Sequence, residues 1–153
     1  MVEAVAYVDG GSRGNPGPAG IGIIIQHATG ERVEISQGIG CRDNNYAEYA
    51  ALLAALQYAV EHQCRRLRVY SDSEVVVRQI SGHYSCQSPL LRQIYELCKG
   101  LIGSLEGFSI THIRRELNQE ADRLANGAIE RAQRRGRRGR RAPALHPALL
   151  SPS

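Results

Sequence analysis

The chain has 153 residues, 42% hydrophobic and 22% charged, the proportions of one ordinary globular domain. No apolar run is long enough to span a bilayer and no basic-then-apolar leader opens the chain, which excludes a transmembrane span and leaves a secretory signal unexpected. Residues 1–130 carry twelve basic and fifteen acidic side chains, a net −3, and the seven arginines of 131–141 bring the total to +4. Such a tail suits counterion-releasing contact with nucleic acid, although a solvated tail that only aids solubility is an equal reading. Cys41, Cys64, Cys86 and Cys98 contain no CxxC pair, so neither a disulfide framework nor a zinc knuckle is expected, and the cytoplasm is the expected compartment.

Residues 2–9 alternate and favour β structure, predicting a strand that ends at Asp9. The glycine- and proline-rich stretch 10–20 reads as a long turn. Residues 21–26 and 32–40 predict two further strands joined through ATGE, giving an antiparallel meander. A helix is predicted from Tyr46 to His62, with Asn45 and Glu48 as a capping box. A fourth strand follows at 66–72, then a short helix from Ser73 to about Ser81. Ser88 and Pro89 open a third helix that Gly103 ends. A fifth strand spans 108–114, and Asn118 caps a last helix with the stripe Ala121, Leu124, Ala125, Ala128, Ile129 and Ala132. The periodicity stops at Arg134, so a domain over 1–133 and a basic, then Pro/Ala/Leu-containing tail over 134–153 are expected.

The order βββ-α-β-α-α-β-α predicts an α/β fold with a mixed sheet, in which strand four returns parallel to strand one. Ligands then gather beyond the carboxyl ends of the parallel strands. Asp9 and Asp72 end those two strands. Singly, each has an ordinary explanation: Asp9 as a turn opener, Asp72 as a helix cap. Glu48 has one as a capping-box acid, and Asp122 as a partner of a helix dipole. Together, four carboxylates at element ends repel unless cations hold them, and oxygen-only ligands suit Mg²⁺ or Mn²⁺. The five histidines lack ligand spacing, and neither GxSxG nor a Walker loop is present.

Four motifs occur in order: DGGSRGNPGPAG at 9–20, NNYAEYAALLAAL at 44–56, YSDSEVVVRQISG at 70–82 and RRELNQEADRLAN at 114–126. Together they resemble ribonuclease H of type 1, from about Ala4 to Ala132. The resemblance implies a ribonuclease H-like fold: a five-stranded mixed sheet, three strands antiparallel and two parallel to strand one, flanked by helices. It implies that Asp9, Glu48, Asp72 and Asp122 hold two Mg²⁺ ions, with Mn²⁺ as a substitute, and that the RNA strand of an RNA–DNA hybrid is cut to 5′-phosphate and 3′-hydroxyl ends. By the same likeness Asp9 lies between both ions, Asp72 and Glu48 hold the leaving-group ion, and Asp122 completes the nucleophile-side one. Gly10, Ser12, Asn15, Asn44 and Asn45 match positions that contact the RNA 2′-hydroxyls, although the asparagines also suit turns and a cap. Glu74 matches a substrate-contacting position that is commonly Gln.

The chain departs from many family members. It has no histidine loop before Asp122 and no basic protrusion, the segment 83–103 carrying only Arg92 and Lys99. Asp43 replaces a residue, often Thr, that contacts DNA phosphate. No hybrid-binding domain is expected before residue 1, and a monomer is expected. Two rival readings are a related nuclease on this scaffold that also cuts double-stranded RNA, and a non-catalytic nucleic-acid-binding module. The concentration of four acids argues against the second.

Overall fold

The computed structural model describes residues 3–137; the expected strand start at Val2 and the tail from 138 onward lie outside the described residues. The sheet has the order β3-β2-β1-β4-β5, formed by β1 (Glu3–Ser12), β2 (Gly17–His27), β3 (Arg32–Arg42), β4 (Arg66–Ser71) and β5 (Gly107–His112). β1/β2 and β2/β3 pair antiparallel, and β1/β4 and β4/β5 pair parallel, which is the expected mixed sheet.

The helices are α1 (Asn44–Glu61), α2 (Glu74–Ile80), α3 (Pro89–Gly103) and α4 (Gln119–Arg137). α1 packs on β1 and β2 and carries α3 on its back; α4 packs on β2, β3 and β1. The main core lies under α1, where Leu52, Leu53 and Leu56 are fully buried among Ile21, Ile23, Ile25 and Val8. Each such leucine contributes about 1.5–3 kcal/mol through removal from water. On the other face the expected stripe docks: Ala121, Ala125, Ala128 and Ile129 are buried, and Leu124 and Ala132 are half-buried. Gly22 permits this approach, since a Cβ there would lie 2.1 Å from the Ala121 carbonyl oxygen.

Several boundaries correct the sequence reading. The long turn over 10–20 shrinks to residues 13–16, because Gly10, Gly11 and Ser12 pair with Ile21, Gly20 and Ala19 in the ladder. Glycine lowers strand propensity, but here two strands zipped from their far ends hold it in place. α1 begins at Asn44 with Asp43 as N-cap, its carboxylate accepting from Tyr46 N–H at 2.7 Å. Asn45 is therefore not the cap, and Glu48 is not part of a capping box. β4 and β5 are shorter than expected, and a 3₁₀ turn (Arg115–Leu117) precedes α4. α4 continues to Arg137, and Arg131 within it donates to the Ser36 carbonyl and hydroxyl on β3. Ser88 caps α3 with Pro89 in its first turn, as expected, whereas α2 begins one residue later than expected and its cap is Ser73 rather than Asp72, the Ser73 hydroxyl accepting from Val76 N–H.

Candidate metal centre

The β1/β4 ladder ends with Val8 beside Ser71. Asp9, which lies inside β1 rather than ending it as expected because β2 carries the strand on to Ser12, and Asp72, one residue past β4, therefore stand together where that ladder ends. Glu48 reaches that edge from the first turns of α1. One oxygen from each of Asp9, Glu48 and Asp72 lies within 4.8 Å of the others. Asp9 and Glu48 are buried and Asp72 is half-buried. Asp122 lies outside this mutual cluster but close enough to push the Asp9 carboxyl up. Its own carboxylate accepts from Asn126 Nδ2 at 3.2 Å, one turn along α4.

The site pays electrostatically for this arrangement. The Asp9 carboxyl is pushed up to about 10 by burial first, then by the charges of Glu48 and Asp72, then by Asp122. Burial likewise pushes Glu48 up to about 8. The Gly10 N–H opposes that rise, Asp72 adds to it, and the hydrogen bond with Asp9 and the Arg115 charge oppose it. Crowded, desolvated carboxylates of this kind favour a bound cation over mutual repulsion, and the donor set is all oxygen. The residues thus fit a hard divalent ion.

Gly10 is placed by packing as well as by chemistry. A Cβ on it would lie 2.1 Å from the Ala47 carbonyl oxygen, so α1 approaches β1 only over glycine. That approach lets Gly10 N–H donate to Glu48 Oε1 at 2.9 Å. Asn15 and Asn44 come together at the rim, Asn44 N–H donating to Asn15 Oδ1 at 2.8 Å. Asn45 is exposed beside them in the first turn of α1. Ser12 Oγ donates to the Gly14 carbonyl, which ties its hydroxyl to the turn. Glu74 is exposed on α2 and paired with Arg78 at 3.3 Å. Asp43 is committed as the α1 cap.

The other two departures also have structural form. Strand β5 connects to α4 through the 3₁₀ turn alone, and a cavity of about 610 Å³ beside Asp122 is lined by Arg115, Glu116, Gln119, Glu120 and Arg123. The cations of segment 83–103 serve the body: Arg92 pairs with Glu96 at 2.9 Å and bonds the Cys86 carbonyl, and Lys99 reaches the Ile80 carbonyl.

Two residues at the site were not assigned to it by sequence. Arg115 acts on Glu48 through its charge. Asn118 was expected as a cap, yet its side chain turns inward: Nδ2 donates to the Val8 carbonyl at 2.8 Å and to Asp72 Oδ2 at 3.4 Å. The asparagine after RREL was the available signal, but its partner strand lies 110 residues away.

A β3-β2-β1-β4-β5 sheet with an acid cluster where the β1/β4 ladder ends defines a protein of ribonuclease H-like fold. Comparison with known proteins agrees. The family described as "Reverse transcriptase-like" matches residues 7–128. Ribonuclease HI of Halobacterium salinarum is 40% identical over 128 residues, 83% of this chain and 64% of the relative. The crystal structure of RNase H1 from that archaeon has a TM-score of 0.81 at 39% identity, covering 85% of this chain and 99% of the other. The crystal structure of LC11-RNase H1 in complex with an RNA/DNA hybrid has a TM-score of 0.79 at 37% identity, with coverage of 85% and 99%. The chain belongs to the type 1 ribonuclease H family. It spans less than two thirds of the length of the curated Halobacterium relative.

Proposed function

We propose that the chain is an endonuclease that hydrolyses the RNA strand of RNA–DNA hybrids, using divalent cations held by Asp9, Glu48, Asp72 and Asp122. The observation that carries this reading is the convergence of the Asp9, Glu48 and Asp72 oxygens within 4.8 Å at a strand-end edge. The likeness to a relative solved with an RNA/DNA hybrid supports the substrate class. Held by these carboxylates, two Mg²⁺ ions, or Mn²⁺ in their place, would supply activation of the attacking water and neutralisation of charge on the departing 3′ oxygen.

The chain's own residues prepare the site. Gly10 N–H fixes the Glu48 carboxylate, and Asp9 contributes a buried charge that favours a cation over solvent. Asn15, Asn44, Asn45 and Ser12 form a polar rim suited to 2′-hydroxyls across a shallow minor groove. With Asn15 Oδ1 occupied by Asn44 N–H, Asn15 Nδ2 is left to donate outward. Glu74 stands near enough in sequence to Asp72 to meet the flanking nucleotides. The arginines beyond α4 add a salt-sensitive contact to phosphate. The protein acts as a monomer in the cytoplasm; no helix among the described residues is long and apolar enough to cross a membrane.

The test is a labelled RNA–DNA hybrid, a double-stranded RNA and a double-stranded DNA, each with Mg²⁺ and with chelator. Metal-dependent cutting of the hybrid RNA strand to 5′-phosphate ends supports the reading. Cutting of double-stranded RNA as well widens the substrate class, and binding without cutting in any arm overturns the enzymatic assignment.

A further inference from the structure

Asn118 stands between the 3₁₀ turn and α4 and is 2% exposed. Its backbone carbonyl accepts from Asp122 N–H at 3.1 Å, which is the backbone role of a helix N-cap. An asparagine there ordinarily turns its side-chain oxygen onto the first free N–H groups of the helix. This one does not: Oδ1 is buried with no hydrogen-bond partner among the described residues. The carboxamide instead spends its donor on two acceptors, the Val8 carbonyl and Asp72 Oδ2.

A buried polar atom left without a partner is rare and calls for a reason. Exchanging the amide oxygen and nitrogen would not remove the difficulty. It would set an acceptor against the Val8 carbonyl and the Asp72 carboxylate, both acceptors themselves. The position therefore requires a donor, not a cap. Asp has no donor when ionised, and the single proton of a Ser hydroxyl does not serve two acceptors, one on β1 and one just past β4.

The three groups that meet Asn118 carry three acids of the metal centre. Val8 precedes Asp9 on β1, Asp72 follows β4, and Asp122 lies in the first turn of α4. We propose that Asn118 is a positioning residue that fixes the Asp72 carboxylate and the Val8–Asp9 backbone relative to the start of α4, so that the acids are pre-arranged for divalent cations. It acts through those groups and touches neither substrate nor the reacting atoms. Outer partners that orient metal-binding carboxylates commonly govern affinity about 10–100-fold.

This inference rests on the metal-site reading above, and its test separates the two. Mn²⁺ binding is measured without nucleic acid, by electron paramagnetic resonance or calorimetry, for the parent chain, Asn118→Ala and Asn118→Ser. Circular dichroism checks folding, and kcat and KM on the hybrid are read alongside. Ser restores a good helix cap but not the bridge, so a purely structural cap predicts parental Mn²⁺ affinity in Asn118→Ser. The positioning role predicts that both folded variants lose about tenfold or more in Mn²⁺ affinity. It also predicts that the Mg²⁺ dependence of kcat moves to higher concentration while KM for the hybrid stays within about twofold. If Asn118→Ala does not fold, Asn118→Ser decides alone. Parental Mn²⁺ affinity in Asn118→Ser overturns the proposal, and no Mn²⁺ binding by the parent chain overturns the metal site and the proposal with it.

Discussion

Gly10 N–H donates to Glu48 Oε1 at 2.9 Å, joining β1 to α1 across 38 residues of sequence. The bond exists because glycine leaves room for the helix backbone: an added Cβ would sit 2.1 Å from Ala47 O and 2.7 Å from Glu48 N. Packing and chemistry are set by the same missing side chain. Gly10→Ala is therefore expected to lose about 1–3 kcal/mol or more of stability, as overpacking does. It should also lose about tenfold or more in cleavage rate through displacement of Glu48. Urea denaturation and single-turnover kinetics check this; parental values in both would contradict the packing account.

Asp9 is costly to the metal-free fold. Its carboxyl rises from 3.8 to about 10 on folding, so across that interval the folded chain binds the extra proton. Stability falls as pH rises wherever the folded state binds more protons than the unfolded one. Asp9→Asn removes the charge and keeps the shape. At pH 8 with chelator the variant is expected to be more stable by about 1–3 kcal/mol, the scale of a poorly compensated buried polar group. The same variant should lose cleavage. Thermal melts at pH 5 and pH 8 read the first effect, whose advantage should shrink at pH 5.

Protons and cations compete for this cluster. With Asp9 raised to about 10 and Glu48 to about 8, cation binding near neutrality displaces protons. Cleavage at limiting Mg²⁺ should rise toward alkaline pH by up to about tenfold per unit for each proton displaced, and the rise should flatten when Mg²⁺ saturates. Identical pH profiles at both concentrations would remove proton competition from the account.

Arg115 is exposed, and its charge pulls the Glu48 carboxyl down. Solvent screens such a group, so its interaction is worth roughly 0.2–1 kcal/mol. The same positive charge repels Mg²⁺, so Arg115→Ala is expected to tighten apparent Mg²⁺ affinity by up to about fivefold near neutral pH, with Arg115→Lys staying close to the parent. Added salt should narrow the difference between the variants.

The basic tail offers a separate handle on substrate. Arg131 belongs to the body, where it bonds Ser36, so a clean truncation falls after Arg137 and removes Arg138, Arg140 and Arg141. KM for the hybrid should rise more than kcat falls, and the salt dependence should flatten by up to about one unit of slope per lost phosphate contact. Equal KM values and equal salt slopes would assign the tail to solubility alone.

Much of this site was legible in the chain. Alternation placed β1 and β4, and carboxylates at their ends needed only the parallel crossover to meet. Asp122 read as a partner of the α4 dipole, and the fold puts it beside Asp9 but outside the cluster of three. What stayed hidden depends on partners far away in sequence. Gly10 and Gly11 read as turn residues, yet the β2 ladder holds them extended. Glu48 read as a local capping acid, yet its donor comes from β1 and the cap is Asp43. Asn118 had the right type for a cap, and only the fold reveals that its amide faces Val8 and Asp72. Residues that can bond locally mask their distant roles, because a local explanation already accounts for them.

The most direct measurement is anomalous diffraction from crystals of this protein soaked in Mn²⁺. Peaks within coordination distance of Asp9, Glu48 and Asp72, lost in Asp72→Asn, are the expected result. Ordered crystals that take up Mn²⁺ elsewhere, and leave those three carboxylates bare, would contradict the account.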